Sequence, residues 1–327
     1  MVARLMKNCS KVSCPSLRIQ VVIATRNRSE PLRECLLSLN QQTLLPHDVV
    51  VVDSSDQPDS RSVVEALQPS ARFALHYVPT NVRSAARQRN LGAAYLDSDL
   101  VFFLDDDVVL EPDFVREIVR VFENDAASQV GGVSGTITNC VYSPLSRLNR
   151  LLFALCTGEW RDSYAGRLVG PAVNFLPEDK PDTVQEVEWL PTTGVCYRKE
   201  VFAKHGFAND FEGYSFAEDV HLSSRVAQTH KLLNTTRARL YHHDLGASTH
   251  KNWVELGESM VAHRRLIMVS VLGKRRIRDS VHLFLYEIVY GAASLLASRR
   301  PLRIVCPLLW GKLKGFWKLW TGRQMAS

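Results

Sequence analysis

The sequence predicts an α/β protein: a mixed, mostly parallel sheet with helices on both faces, followed by a C-terminal amphipathic helical extension. Three observations lead there. The runs "IQVVIAT" (19–25), "DVVVVDSSD" (48–56) and "LVFFL" (100–104) are continuously apolar at their cores, as strands buried on both faces are. Segments of helical period separate them, and strand–helix alternation implies parallel strands joined by crossovers. Beyond about residue 250 the chain turns basic, with large apolar residues between the bases.

Taken in order, 19–25 is the first strand. Ser29 and Pro31 then open a helix whose Leu32, Cys35, Leu36 and Leu39 fall at i, i+3, i+4 and i+7. The second strand carries acids and serines at its carboxyl end. A helix near 59–68, a strand "FALHYV" (73–78), a helix over about 83–96 and the strand 100–104 follow. The second half is less periodic: "GGVSGTITN" (131–139) is strand-like, and 140–180 reads as loops and short helices. "EVEWLPTTGVCYRKEVF" (186–202) reads as a strand, a glycine turn and a strand or helix start. A helix begins near Glu218 with Val220, Leu222 and Val226 on one face, and "ARLYHHD" (238–244) is a late strand.

Composition narrows the function classes. The chain has 327 residues, 46% hydrophobic and 23% charged, as folded globular proteins are. Its seven cysteines are scattered, odd in number and form no CxxC pair, which argues against a zinc site and for a reducing compartment. The first residues, 1–17, are basic without a continuous apolar stretch and read as a flexible N-terminus rather than a signal peptide. Neither a P-loop nor GxGxxG occurs. Net charge is +6, but residues 251–327 hold 14 Lys/Arg against 4 Asp/Glu, a local +10. Interleaved Trp, Phe and Leu point that charge at an anionic membrane surface rather than at nucleic acid.

In parallel sheets ligands sit at the carboxyl ends of the strands. Polar clusters lie there: Thr25-Arg26-Asn27-Arg28, then Asp53, then Asp105-Asp106-Asp107. Three adjacent carboxylates repel one another. They call for a cation, since hard divalent ions prefer carboxylate oxygen, or else for a fully solvated turn.

These stretches together resemble the family 2 glycosyltransferases. The resemblance rests on "VVIATRNR", "VVVDSSD", "NVRSAARQRNLGAA", "VFFLDDDVVLEPDF", "TTGVCYRKEVF", "FAEDVHLSSR" and "YHHD", in that order over roughly 18–250. It implies a Rossmann-like GT-A fold and an inverting transfer of sugar from a nucleotide-sugar donor. It also implies a divalent metal, Mn2+ or Mg2+, on the donor diphosphate. Asp105 and Asp107 become metal ligands of a DxD-type site. The expectation is that Asp105 and Asp107 alternate to opposite sides if the strand continues, so that only one of them binds the metal directly while Asp105 or Asp106 contacts the donor ribose. Asp53 accepts a hydrogen bond from the nucleobase, and Thr25, Arg26 and Asn27 line the same pocket. Asn81, Arg87 and Asn90 fall near the diphosphate, although Val82 stands where glycine is commoner and the arginines of this stretch also suit a solvated helix face. Of Glu218 and Asp219, the aspartate is the general base. His242 or His243 adds a metal ligand, and only one can face the site because neighbours on a strand point opposite ways. Trp189, Thr193 and Gly194 are candidate acceptor contacts.

The implied organisation is a glycosyltransferase domain over 18–250 and a membrane-associating extension over 251–327. Residues 281–297 are short for a span and contain Glu287. In "LLWGKLKGFWKLW" (308–320), Trp310, Leu313, Phe316, Trp317 and Trp320 recur at helical spacing with Lys312, Lys314 and Lys318 between, as in a helix lying on a membrane. The alternative is a soluble subdomain that buries these residues. The expectation is a peripheral protein at the cytoplasmic face of the cell membrane, acting on a glycan or lipid-linked acceptor in cell-surface or exopolysaccharide assembly. Two rivals stand beside it: a sugar-phosphate nucleotidyltransferase, for which "ATRNRSEP" lacks the glycine-rich loop, and a catalytically inactive membrane scaffold.

Overall fold

The computed structural model describes residues 17–211, 216–243, 252–297 and 301–321; the basic N-terminus and Asp244 of "YHHD" lie outside them. The chain runs β1 (Ile19–Thr25), α1 (Ser29–Asn40), β2 (Asp48–Asp53), α2 (Asp59–Leu67), β3 (Ala74–Pro79), α3 (Ala85–Tyr95), β4 (Leu100–Asp105). It continues β5 (Val108–Leu110), α4 (Phe114–Glu123), β6 (Val130–Ile137), α5 (Arg147–Thr157), β7 (Leu168–Val169), β8 (Val173–Asn174), β9 (Val184–Val187), β10 (Gly194–Arg198), α6 (Lys199–His205), α7 (Glu218–Val226) and β11 (Lys231–His242). Four helices close the chain: α8 (Trp253–Ser270), α9 (Ile277–Phe284), α10 (Gly291–Ala297) and α11 (Leu302–Thr321), with a π-helical turn at Leu285–Tyr290 between α9 and α10.

The main sheet has the order β3-β2-β1-β4-β10-β6-β11-β5, with β9 also on β11. Its first four strands are parallel, as the crossovers require. The sheet is mixed beyond them, because β10 enters antiparallel between β4 and β6. Successive residues of one strand feed two cores. Val21 and Ile23 of β1 and Phe102 and Leu104 of β4 pack with α1 and α4, whereas Val22, Val101 and Phe103 pack with α3, α6 and α7. This is why the strands read as unbroken apolar runs.

The C-terminal helices dock on this body. Ile267 and Met268 of α8 and Leu283 of α9 form one cluster with Ala172, Trp189 and Val220. Helices α8 and α11 meet through glycines: a β-carbon on Gly311 would lie 2.0 Å from the Val254 carbonyl oxygen, and one on Gly257 would lie 2.3 Å from that of Leu308. The 281–297 stretch is broken into α9, the π turn and α10, and Glu287 in its middle is fully buried. Glu287 pairs at 2.7 Å with both Arg264 and Lys312. Lys312 is therefore not part of a solvated lysine row, as its spacing suggested; a buried carboxylate needs a cation, and α11 supplies it. Among the described residues no helix is long and apolar enough to cross a membrane.

Candidate active site

Parallel alignment puts the carboxyl ends of β1, β2 and β4 at one edge, where Thr25 is in register with Asp53, and Ala24 with Asp105. The strand does not continue through the aspartates. It ends at Asp105, Asp106 and Asp107 form a turn, and β5 begins at Val108. The expected divergence of Asp105 and Asp107 is wrong: residues two apart on a strand share a face, and across this turn their carboxylates stay within ligating reach of each other.

Strand β5 then pairs antiparallel with the end of β11, Val108 opposite His242. This pairing sets His242 Nε2 3.1 Å from Asp107 Oδ1. Donor atoms of Asp105, Asp107 and His242 all lie within 4.8 Å of one another. Ligands of a six-coordinate Mn2+ or Mg2+ sit ~3 Å apart in adjacent positions and ~4 Å apart across the ion, from metal–oxygen distances of about 2.1 Å. The three side chains thus fit such an ion after small closure, and two carboxylates with one imidazole suit Mn2+. His243 does not join this cluster: its Nε2 pairs with Glu34 at 2.9 Å.

The aspartates are balanced by two arginines. Arg28 reaches Asp107 Oδ2 at 2.5 Å and Asp106 Oδ1 at 3.3 Å. Burial pushes the Asp107 carboxyl up, but His242 and Arg28 outweigh it and hold the group below the usual range. For Asp106 burial wins over Arg28 and the Thr25 hydroxyl, and its pKa is pushed up to about 7. Asp106 accepts from Thr25 Oγ1 at 2.7 Å. Neither atom of that pair is a surface group, since Thr25 and Asp106 are both buried.

Arg89, not Arg87, enters the site. Arg87 is exposed on α3, whereas Arg89 is 6% exposed, donates to Asp105 Oδ1 at 2.7 Å and pairs with Glu218. Asn90 uses its amide on Phe207, donating to the carbonyl at 2.8 Å and accepting from the N–H at 2.9 Å, so it ties α3 to the chain after α6 rather than facing a diphosphate. Asn81 is exposed in the loop between β3 and α3. Asp53 ends β2, with Oδ1 held by the N–H of Ser55 at 2.8 Å and Oδ2 by the Tyr77 hydroxyl at 2.7 Å. Arg26, Asn27 and Arg83 gather on exposed Asp56, at 3.4, 3.0 and 2.5 Å.

Glu218 and Asp219 open α7, so its N-terminal turn faces the aspartate site. Glu218 is occupied by Arg89, which leaves Asp219 as the available carboxylate. Burial pushes Asp219 up to about 6, against the Val220 N–H and Arg89, which favour the ionised form. Two of the candidate acceptor contacts serve the core instead. Trp189 is 5% exposed and donates its indole N–H to the Phe175 carbonyl at 2.7 Å. A β-carbon on Gly194 would meet Leu240 Cδ2 at 2.3 Å, so that glycine allows sheet and helix to close up. Thr193 is buried at the start of β10.

Residues 20–164 match the family model described as glycosyl transferase family 2. Over 107 residues the chain is 31% identical to the uncharacterized glycosyltransferase YwdF of Bacillus subtilis (strain 168), covering 33% of this chain and 39% of that one. Over 226 residues it is 27% identical to validoxylamine A glucosyltransferase of Streptomyces hygroscopicus subsp. limoneus, covering 64% and 47%. The chain therefore spans less than half the length of these two relatives. Among solved structures, the mannosyltransferase PcManGT from Pyrobaculum calidifontis, in complex with GDP-Man and Mn2+, aligns with a TM-score of 0.58 at 16% identity, over 92% of this chain and 88% of that one. That likeness establishes the GT-A fold. The match over residues 20–164 supports a family 2 glycosyltransferase domain in that part of the chain.

Proposed function

We propose that this protein is a metal-dependent, inverting glycosyltransferase that moves a sugar from a nucleotide-sugar donor to a hydroxyl of a glycan or lipid-linked acceptor. The observation that carries this reading is the convergence of Asp105, Asp107 and His242 with Asp219, linked through Arg89. A divalent cation held by Asp105, Asp107 and His242 would neutralise charge growing on the nucleoside diphosphate as it leaves.

The chain's own residues do the rest. Asp219 takes the proton of the acceptor hydroxyl, whose oxygen attacks the anomeric carbon on the face opposite the leaving group and inverts it. Arg89 neutralises Glu218 and orients Asp105, so that Asp219 is the carboxylate free to act as base. Asp53 and Thr25, in register at the ends of β2 and β1, bound the nucleoside end of the same edge. Support for a Mn2+-dependent, nucleotide-sugar chemistry comes from the ligands of the mannosyltransferase of like fold.

The residues 251–327 act in this reading as the membrane-associating extension of the 18–250 domain. Trp310, Leu313, Trp317 and Trp320 are exposed along α11, and Lys314 lies over the Trp310 ring at 5.8 Å. Aromatics beside a lysine suit the headgroup layer of an anionic membrane. A peripheral enzyme at the cytoplasmic face, serving cell-surface or exopolysaccharide assembly, accommodates both this face and a lipid-linked acceptor.

The test is calorimetric binding of UDP, GDP, dTDP and CMP, each with and without Mn2+. Binding of one diphosphate that requires Mn2+ is the expected result. Absence of binding by all four under both conditions would return the chain to a non-catalytic scaffold.

A further inference from the structure

The segment leading into Glu218 and Asp219 is held from outside the sheet. The carbonyl of Phe216 accepts from His263 Nδ1, on α8, at 2.9 Å. The next residue, Ala217, has φ of 61°, a left-handed conformation that a β-carbon disfavours. Helix α7 starts immediately after it. A strained residue between a tethered carbonyl and a catalytic carboxylate persists only if its surroundings over-determine it.

Arg264, one residue along α8, supplies more of those surroundings. Its guanidinium lies 5.2 Å from the centre of the Phe216 ring and 5.1 Å from that of Tyr286. It also donates to the Ala172 carbonyl and pairs with Glu287, which Lys312 of α11 completes. The His263 ring in turn packs on Phe211 at 4.6 Å, and Phe211 packs on His221 of α7 at 5.3 Å. Thus α8 grips the approach to α7 at its backbone and at its Phe216 ring, and through Phe211 touches α7 itself.

Apolar packing alone would hold two helices together at lower desolvation cost than Arg264, Glu287 and Lys312, all buried. What charged and hydrogen-bonded groups add is direction: each has one arrangement that satisfies its partners. Here the arrangement points at the carbonyl and the aromatic ring of Phe216, three residues before the base.

We propose that His263 and Arg264 are positioning residues for Asp219, and hence that the C-terminal helices are a working part of the active centre. The proposal rests on the reading of Asp219 as the base. His263 fixes the Phe216 carbonyl, Arg264 fixes the ring, and the two together dictate the left-handed turn at Ala217 that aims the first turn of α7 at the metal-binding aspartates.

The test pairs hydrogen exchange with kinetics on the full chain. Asparagine keeps an N–H near the Nδ1 position, so His263→Asn is the conservative variant and His263→Ala the disruptive one. Amides 220–224 in His263→Ala should exchange at least tenfold faster, with amides of β1, β2 and β4 unchanged, and His263→Asn should recover most of the protection. With the donor identified by calorimetry, kcat of His263→Ala should fall ten- to a hundredfold while donor KM stays within twofold, and His263→Asn should regain activity. Arg264→Lys should show the same separation of kcat from KM, because lysine cannot both face Phe216 and reach Ala172 and Glu287.

Wild-type exchange at 220–224 in His263→Ala, or faster exchange spread evenly over β1, β2 and β4, would overturn the proposal. So would a rise in donor KM with kcat unchanged. Exchange requires no substrate, so a wild-type protein that turns over no donor would defeat the transferase reading and still leave the grip on Ala217 measurable.

Discussion

Arg89 and Glu218 form a buried salt bridge, each side chain 7% exposed, that joins the inner face of α3 to the first turn of α7. The same guanidinium reaches Asp105, so one cation serves the aspartate turn and the Glu218–Asp219 pair together. The pairing separates the two acids: Glu218 is committed to an ion pair, and Asp219 is the one proposed as the base.

Removing that cation should cost the fold more than the site. Arg89→Met leaves Glu218 buried without its ion pair, and loss of one member of a buried pair costs about 3–5 kcal/mol. Urea denaturation should report a fall of that size. Arg87→Met, on the exposed face of the same helix, should stay within about 0.5 kcal/mol of wild type. Equal effects from the two variants would contradict the orientation of α3.

The two histidines give a sharp test of the metal site. His242→Ala should lower nucleotide affinity measured with Mn2+ by about tenfold to a hundredfold, the range for lost groups around a bound metal. His243→Ala should leave that affinity unchanged, because His243 pairs with Glu34. Asp107→Asn should make binding insensitive to Mn2+. A His243 effect as large as that of His242 would refute the β5–β11 register as the source of the ligand.

As the proposed base, Asp219 must be ionised to act, which fixes the sign of the expected pH dependence. With its pKa raised to about 6 by burial, kcat/KM should fall about tenfold per pH unit below that value and level off above it, as a free-enzyme base requires. Asp219→Asn should remove the limb and lower kcat by about 10²- to 10⁴-fold, the usual worth of a general base. Nucleotide binding by that variant should be intact. A pH profile unchanged in Asp219→Asn would assign the base elsewhere.

The C-terminal helices separate packing from surface chemistry. Gly311→Ala would press a methyl group into the Val254 carbonyl, which no rotamer change relieves, and overpacking of this kind costs about 1–3 kcal/mol. Thermal melting should drop accordingly. Replacing Trp310, Trp317 and Trp320 with serine removes exposed groups, so melting should hold while binding to phosphatidylglycerol vesicles is lost in a sedimentation assay. Vesicle binding equal to wild type would remove α11 as the membrane face.

Much of this was legible in the chain. Strands buried on both faces leave unbroken runs such as "VVVVD", and parallel alignment carries their polar ends to one edge. The arginines of α3 were harder. Arg83, Arg87 and Arg89 are chemically alike, and the inner face was marked only by Ala86 and Ala93, with which Arg89 shares helical spacing. Arg28 left a weaker signal still, a base following a strand end. Gly194 and Trp189 suit a sugar site by composition, but both serve packing here.

By itself the sequence determined the order of elements as far as β4, the strand edge that gathers the polar residues and the residue types present there, because periodicity and strand-end polarity are local properties of the chain. Only the tertiary structure decided that the strand ends in a turn at Asp106 and Asp107, that His242 rather than His243 lies beside Asp105 and Asp107, and that α8 grips the approach to Asp219. Those outcomes depend on strand register, helix rotation and the partner each buried charge finds, and such partners lie far apart along the chain.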